Sequence, residues 1–557
     1  MLPIGFGTCF GWLHQAAGDC GVLLCPAIGH EARSVHRPWR MLADTLAAGG
    51  YPTLRFDYPG TADSWVDANA VGDDGLAPWR AGIAAAADWL RREAGVRRIA
   101  LCGLRLGAAL AAEASVGAER LALLAPVVSG RLYLRELRAL GRVAAGMADR
   151  TDASDTLEAG GVLLSPGQIR DIGQIDLRRL GAMPAPDVLI LDSAGARPVQ
   201  ELAGRLRDLD AEVRLDGFPG YDMLMRDSHL NAPPREAYGR VLAWLDERPP
   251  GRPARTAAPG PAVLHPPGAV ERPCRFGEGE RLFGMLCEPA GPVRGEIAVI
   301  IGNTGGDPHY GLGDLSVALA RRLAGAGVAS LRMDYAGLGD SLNGPEDAQP
   351  HLFDTPRLPD LQAAMAVLEG AGYRRFVAAG ICSGAYHALH AALADERVVG
   401  LYLVNLPKYR WRFGDEADVV QRRAMRSTHA YLQGLKQPDI WRRMLRREIH
   451  AGRITALLAR RLLRRLALRA GGSMAARFPR QALTALSRRG VRTAIVHGLD
   501  DPGLDELEAH FGRLGRRLAA LPHVGVTIVP EIDHAVSHRV ARERAIELLL
   551  EHVRPLK

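Results

Sequence analysis

The sequence predicts an α/β protein of two consecutive domains, each built on a mostly parallel sheet. A motif occurs twice, as LRFDYPGTADS from residue 54 and as LRMDYAGLGDS from residue 331, which indicates a tandem duplication. Within each copy, apolar runs of strand length alternate with amphipathic helical segments, the order typical of a parallel sheet covered on both faces. A segment rich in Pro, Ala and Gly, residues 247–273, lies between the copies and has the composition of a linker.

Three landmarks of the two copies share one register. An offset of 277 residues relates the two motifs and also places GLRLGA, which starts at Gly103, on GICSGA, which starts at Gly380. The apolar strand GVLLCPAIG corresponds to IAVIIGNTGG at nearly the same offset. We therefore predict domains at residues 1–246 and 274–557, joined by the linker and packed as an intramolecular pseudo-dimer.

Composition narrows the class of protein. Hydrophobic residues make up 47% and charged residues 24% of the 557, and the mean hydropathy is −0.04. No apolar run reaches the roughly 18 residues of a membrane-spanning helix, and the N-terminus lacks a signal-peptide pattern. We expect a cytoplasmic protein. Seven cysteines without a CxxC pair argue against a disulfide framework and a structural zinc site, so we predict neither metal nor cofactor.

The positive charge is concentrated in one segment. Residues 408–489 contain 21 Lys and Arg against 5 Asp and Glu, while the whole chain carries a net charge of +8. Leucines recur there at helical spacing, which predicts a basic helical lid over about residues 408–490. The basic face of this lid is either exposed to solvent without a partner, or it binds an acidic acyl carrier protein or an anionic membrane. Arg442 and Arg446 are candidate substrate-binding residues. No nucleic-acid-binding motif accompanies the charge, so no nucleic acid is predicted as a partner.

The segment Gly380–Gly384, GICSG, resembles the nucleophile elbow of the α/β-hydrolase fold. In that elbow two glycines flank a sharp strand-to-helix turn that exposes the central residue. RMDYAGLGDS and IIGNTGGDPHYG are also similar to segments of that fold, and the resemblance covers both halves of the chain. More narrowly, GLRLGA and the Cys-bearing elbow resemble the paired hydrolases of bacterial exopolysaccharide and exosortase gene sets, in the serine aminopeptidase-like branch.

The resemblance implies that Cys382, at the centre of the elbow, is the nucleophile. The family usually has serine at this position. The alternative to a nucleophile is that Cys382 is simply a small buried side chain. A thiol at a helix N-terminus is favoured as the thiolate, which is the reactive form. Ser383 lies one residue too late to attack, but its backbone N–H falls where the family has an oxyanion donor. The second donor is expected at Asn303 or Thr304.

The resemblance also implies the chain order nucleophile, acid, histidine. The spacing after the strand TAIVHG favours Asp501 as the acid, with Asp500 as the alternative. His534 follows the next strand, at the position of the general base, and His538 and His309 are its competitors. The expected triad is therefore Cys382, His534 and Asp501, with the carboxylate fixing the tautomer of the imidazole.

The first copy lacks this chemistry. The offset places Arg105 on Cys382, and an arginine is not a nucleophile. Arg197 falls near the acid position, and Tyr221 or Asp222 at the histidine position. We therefore predict a non-catalytic first domain, in which Arg105 forms a structural salt bridge or binds a carboxylate or phosphate at the helix N-terminus.

These residues predict acyl transfer or hydrolysis through a cysteine acyl-enzyme. A soft thiolate suits thioester substrates, carried on a carrier protein or on CoA in a bacterial biosynthetic pathway. The alternatives are a simple carboxylester hydrolase and a catalytically silent scaffold that binds an acyl chain or a protein partner.

Overall fold

The computed structural model describes residues 1–66, 73–114, 116–144, 156–192, 195–251, 260, 262–291, 295–342, 356–411, 427–428, 459, 463 and 474–556. The chain divides into two compact units. The first comprises Met1–Pro273 with Tyr310–Val317, and the second comprises Cys274–His309 with Ala318–Lys557.

The elements of the first unit begin almost at the N-terminus. Its described strands are β1 (Leu2–Phe6), β2 (Cys9–His14), β3 (Cys20–Cys25), β4 (Thr53–Phe56), β5 (Arg98–Leu104), β6 (Arg120–Leu124), β7 (Leu157–Ala159), β8 (Val162–Leu164), β9 (Asp187–Asp192) and β10 (Glu212–Gly217). Its described helices are α1 (Gly29–Ala48), α2 (Ala77–Glu93), α3 (Leu106–Glu113), α4 (Gly130–Ala144), α5 (Pro166–Gln174), α6 (Arg197–Asp208), α7 (Tyr221–Leu224) and α8 (Arg235–Asp246).

The remaining elements begin with the strand that starts at Ala269. The strands are β11 (Ala269–Phe276), β12 (Leu282–Pro289), β13 (Ile297–Ile301), β14 (Ala329–Asp334), β15 (Arg375–Ile381), β16 (Val398–Val404), β17 (Arg492–Gly498) and β18 (Val524–Val529). The described helices are α9 (Leu315–Gly325), α10 (Leu358–Gly370), α11 (Ser383–Ala394), α12 (Met474–Arg488), α13 (Gly503–Phe511) and α14 (Arg539–Val553).

Each unit has one large sheet, and the two sheets have the same strand order. The orders are β1-β2-β4-β3-β5-β6-β9-β10 and β11-β12-β14-β13-β15-β16-β17-β18. The second strand of each sheet runs antiparallel to its inner neighbour, and the pairs from there onward are parallel. This is the architecture of the α/β-hydrolase fold, so the predicted fold class is confirmed.

These segments form strands because their side chains are apolar enough to be buried on both faces of the sheet. All residues of β3 and nearly all of β5 are buried, as are those of β13 and β14. Parallel strands covered by helices on both sides read as continuous apolar runs rather than as alternating ones. Chemistry in such a sheet gathers at the carboxyl ends of its strands, which is where the repeated glycine-rich turns lie.

The repeated motif builds the same turn in both units. The hydroxyl of Ser64 donates to the backbone carbonyl of Asp57 at 2.8 Å, and the hydroxyl of Ser341 donates to that of Asp334 at 2.6 Å. The sequence similarity of the two copies therefore reflects equivalent hydrogen bonds after strands β4 and β14.

Two predicted segments differ from the described elements or extend beyond them. Strand β11 begins at Ala269, so the last residues of the predicted linker 247–273 belong to a strand. The sequence did not indicate this strand because Pro273 lies within it. Proline is tolerated there because β11 lies at the edge of its sheet. Of the predicted lid, helix α12 is described, whereas Arg442 and Arg446 lie outside the described residues. Among the helices that the structure describes, none has the length and apolar character needed to span a bilayer.

Candidate active site

Cys382 lies in a sharp turn between β15 and α11. Its φ is 53°, in the left-handed region that non-glycine residues rarely adopt, and it is the N-cap of α11. A Cβ atom at Gly380 would lie 2.2 Å from the carbonyl carbon of Gly384, and one at Gly384 would lie 2.7 Å from the Asn303 carbonyl oxygen. Both flanking positions therefore require glycine, as in a nucleophile elbow.

Asp501 and His534 form a short, buried contact. Nδ1 of His534 lies 2.5 Å from Oδ2 of Asp501, whose side chain is completely buried. The N–H of Gly503 donates to Oδ1 of the same carboxylate at 2.8 Å. Burial by itself would raise the pKa of Asp501, but His534 and His497 outweigh it and lower that pKa below its ordinary value of 3.8. The carboxylate is therefore charged at neutral pH.

His534 also interacts with the side chain of Cys382. Nε2 is buried, and no oxygen or nitrogen among the described residues hydrogen-bonds to it. Burial favours the neutral imidazole, yet the Cys382 and Asp501 side chains raise the pKa of His534 well above 6.5. The imidazole thus lies between a thiol and a carboxylate, and as an imidazolium it would stabilise both in their charged forms.

The alternatives for acid and base occupy other environments. Asp500 is exposed, whereas Asp501 contacts His534. Nδ1 of His309 lies 2.8 Å from Oδ2 of Asp334, so this histidine belongs to a network around the turn after β14. His538 is the N-cap of α14. Among these candidates the structure brings Asp501 and His534 together.

Ser383 and the loop after β13 form one wall of the elbow. The Ser383 hydroxyl is buried and accepts a hydrogen bond from the N–H of Gly305 at 2.7 Å. Its side chain therefore holds the loop after β13 in place. No hydrogen bond of the described residues uses the backbone N–H of Ser383 or of Thr304. Both N–H groups are thus free to donate to an oxyanion.

The Asn303 side chain is occupied by structural hydrogen bonds. Its amide nitrogen donates to the Asp307 carbonyl at 2.7 Å and to Oδ1 of Asp334 at 2.7 Å, and its oxygen accepts from the N–H of Tyr335 at 2.7 Å. Asn303 therefore anchors the loop to the turn after β14, and a contribution to an oxyanion hole would have to come from its backbone N–H.

Two further residues at this site were not anticipated from the sequence. Nδ1 of the buried His497 lies 3.4 Å from Oδ1 of Asp501, on the side of the carboxylate opposite His534. Asn405 hydrogen-bonds to the segment that carries His534. His497 could have been suspected from the sequence, because it lies near the end of a strand and four residues before Asp501. Asn405 could not, because only the strand order brings it near His534.

The first unit has the same elbow with a different residue at its centre. Arg105 has a φ of 56°, close to that of Cys382, and a Cβ at Gly107 would lie 2.2 Å from the Pro26 carbonyl oxygen. Pro26 thus occupies the place of Asn303 and has no backbone N–H to donate. Counted along the chain from the equivalent residues of β9 and β17, Ala196 corresponds to Asp501 and precedes the predicted Arg197 by one residue.

Arg105 already has carboxylate partners. Its Nε lies 2.8 Å from Oε1 of Glu31 and its Nη2 lies 2.9 Å from Oε2 of Glu136. The hydroxyl of Tyr133 donates to the other oxygen of Glu31 at 3.1 Å. Of the two alternatives for Arg105, this arrangement matches the structural salt bridge, because its guanidinium is neutralised within the unit.

Replacing Arg105 with alanine is expected to lower the stability of the chain substantially. Glu31 has 6% of its side chain exposed, so its charge would remain buried without a partner, at a cost of about 3–5 kcal/mol. The matched control is Arg214→Ala, since Arg214 and Glu247 are each 48% exposed and such pairs contribute about 0–1 kcal/mol. Thermal and urea unfolding of the full chain measure both; equal losses would contradict a buried, essential ion pair.

Among known proteins, similarity to this chain is found in solved structures. No protein-family model matches the chain, and no curated protein matches it. Est1E from Butyrivibrio proteoclasticus, solved with ferulic acid, is 21% identical, with a TM-score of 0.33 over 44% of this chain and 100% of its own. The Pyrococcus furiosus esterase Pf2001 is 16% identical, with a TM-score of 0.29 over 44% of this chain and 91% of its own.

A third solved structure is an alpha-beta serine hydrolase homologue from Coxiella burnetii. It is 15% identical, with a TM-score of 0.29 over 55% of this chain and 100% of its own. The two sheets with their shared strand order, and the glycine-flanked elbow in each unit, make this chain a tandem α/β-hydrolase-fold protein.

Proposed function

We propose that the second unit catalyses acyl transfer or acyl hydrolysis through a thioester intermediate on Cys382. The observation that carries this proposal is the grouping of a thiol in a strained elbow with an imidazole whose Nδ1 lies 2.5 Å from a buried carboxylate. A nucleophile, a base and a group that orients the base are the parts that covalent acyl transfer requires.

The proposed reaction has two steps. The Cys382 thiolate attacks the acyl carbonyl, forming a C–S bond, and the oxyanion accepts hydrogen bonds from the N–H groups of Ser383 and Thr304. The leaving thiolate departs with the proton of His534. In the second step His534 removes a proton from water or from an acceptor, which attacks the acyl-enzyme and releases Cys382. Asp501 holds the imidazole in the required tautomer throughout.

A thioester is the favoured acyl donor because its exchange onto Cys382 replaces one thiolate by another of similar basicity. An alkyl ester would instead require departure of a much more basic alkoxide, with greater dependence on proton donation from His534. We therefore favour acyl groups carried by CoA or a carrier protein in a bacterial biosynthetic pathway. Carboxylester hydrolysis is the second candidate within the enzyme class.

The first unit is proposed to be non-catalytic. Arg105 stands in place of the nucleophile and is held by Glu31, and Ala196 stands at the position that corresponds to Asp501. Two separate requirements of the reaction, the nucleophile and the acid, are therefore unmet in this unit. The alternative to an enzymatic function is that the whole chain is a catalytically silent scaffold, which binds an acyl chain or a protein partner.

We also propose an acidic carrier protein as the partner of the basic segment 408–489, to which Arg442 and Arg446 belong. Attraction of this kind acts mainly on encounter and weakens with ionic strength. A cytoplasmic setting fits the proposed thiolate chemistry, because all seven cysteines are free and reactive thiols persist in reducing compartments.

The test is the intact mass of the full chain after brief incubation with acyl donors and an acid quench. We expect the mass to increase by one acyl group with an acyl-CoA or an acyl carrier protein, and less readily with an aryl ester of the same acyl chain. Labelling should be lost after prior alkylation of Cys382. Labelling by the carrier should fall with added salt more steeply than labelling by the neutral ester. An absence of any adduct and of any turnover would favour the scaffold.

A further inference from the structure

We propose that Asn405 is a positioning residue that ties the loop bearing Asp501 to the loop bearing His534. This inference rests on the proposed function, since it concerns the alignment of the same triad. Asn405 directly follows β16, the strand next to the one that ends at the elbow. Its role would be to hold the acid and the base in register with each other and with Cys382.

The side-chain amide of Asn405 bridges both loops. Its nitrogen donates to the backbone carbonyl of Asp533 at 2.8 Å and to that of His534 at 3.0 Å. Its oxygen accepts from the N–H of Gly498 at 2.9 Å, three residues before Asp501. Asn405 is completely buried, so these hydrogen bonds do not compete with water and leave the amide little freedom to move.

The two loops are also in close contact where Asn405 joins them. A Cβ atom at Gly498 would lie 1.8 Å from the carbonyl oxygen of Ile532, which precedes His534 by two residues. Glycine is therefore required for this approach. A shift of one loop would carry over to the other, and the 2.5 Å contact between His534 and Asp501 depends on both staying in place.

The first unit shows that the amide is not needed for the fold. Ala125 occupies the equivalent position: its φ is 43° and its N–H donates to the Leu191 carbonyl at 2.7 Å. Asn405 has a φ of 50° and its N–H donates to the Val496 carbonyl at 2.8 Å. The same backbone turn thus forms with alanine in the unit that lacks the triad, and the amide is present in the unit that has it.

The test replaces Asn405 by the residue of the first unit, as Asn405→Ala, and also by glycine, which adopts the left-handed conformation without strain. We expect kcat to fall by about 10- to 100-fold in both variants, the range for a catalytic group displaced by up to about 1 Å, while KM stays within about twofold. Two variants are used because a folding defect specific to alanine would not affect glycine.

The second readout needs no acyl substrate. The rate at which iodoacetamide alkylates Cys382 is measured against pH in the full chain, because this rate reports the pairing of the thiolate with the imidazolium. We expect slower alkylation and a displaced pH profile in both Asn405 variants. The matched control is Asn231→Ala, which removes another buried amide, one that donates to the Ser34 carbonyl in the first unit. It should leave both readouts unchanged.

The outcomes separate the two proposals. Unchanged kcat and an unchanged alkylation profile in both Asn405 variants would overturn the positioning role, even if melting temperatures fell as in the Asn231 variant. A displaced alkylation profile together with no acyl adduct from any donor would support the positioning role and overturn the proposed function. A loss of kcat equal to that in Asn231→Ala would show general destabilisation and would also overturn the positioning role.

Discussion

Cys382→Ala is expected to abolish turnover, with kcat reduced by about 10⁴-fold or more, because removing the nucleophile eliminates the covalent intermediate altogether. What remains would be the binding energy and the oxyanion donors, which act only on direct attack by water. The mass increase upon incubation with an acyl thioester should vanish in the same variant. Steady-state turnover and intact mass, both on the full chain, are the measurements.

The control for this variant is another buried cysteine. Cys102 and Cys382 are each 1% exposed, and Cys102 lies in β5, the counterpart of the strand that leads to Cys382. Cys102→Ala removes a buried sulfur without touching the triad, so kcat should stay within a few-fold of the unmodified chain. Substantial turnover by Cys382→Ala would show that the reaction, if there is one, does not pass through this thiol.

The elbow is the part of the site that the sequence reveals best, because its requirements are local. Gly380 and Gly384 are fixed by clashes within a few residues of Cys382, so the pattern GICSG carries the geometry. The first unit repeats the geometry with Arg105 at a φ of 56°. The strained turn is therefore a property of the fold, and the chemistry depends on which side chain occupies it.

Other features could not be read from the sequence because they depend on strand order. Asn405 is separated by more than a hundred residues from His534, and the adjacent order of β16, β17 and β18 in the sheet brings the two together. His497 could have been suspected, but its distance to Asp501 depends on how the loop after β17 folds back.

Asp500 and Asp501 differ by one position in the sequence, and that difference determines which of the two carboxylates contacts His534. The two carboxylates are adjacent in sequence and chemically identical, so spacing alone left both open. In the structure Asp501 is enclosed by His534, His497 and the N–H of Gly503, while Asp500 is exposed. Burial and hydrogen bonding, rather than residue type, distinguish the carboxylate that contacts His534 from its neighbour.

Asp501→Asn is accordingly expected to lower kcat by about 10⁴-fold, because the amide preserves the shape but carries no charge to stabilise the imidazolium and, by donating its N–H to Nδ1, holds His534 in the wrong tautomer. Asp500→Asn is the matched control: it makes the same chemical change one residue away, at an exposed site, and should leave kcat within about twofold. Both variants are assayed with one acyl thioester, and their unfolding is followed in urea so that a loss of folded chain is not mistaken for a loss of catalysis.

The carboxylate pKa of Asp501 lies below 3.8, so the difference between the two variants should persist across the neutral pH range. A larger effect of Asp500→Asn would mean that the acid of the triad is assigned to the wrong residue. Equal and small effects would mean that His534 works without a carboxylate.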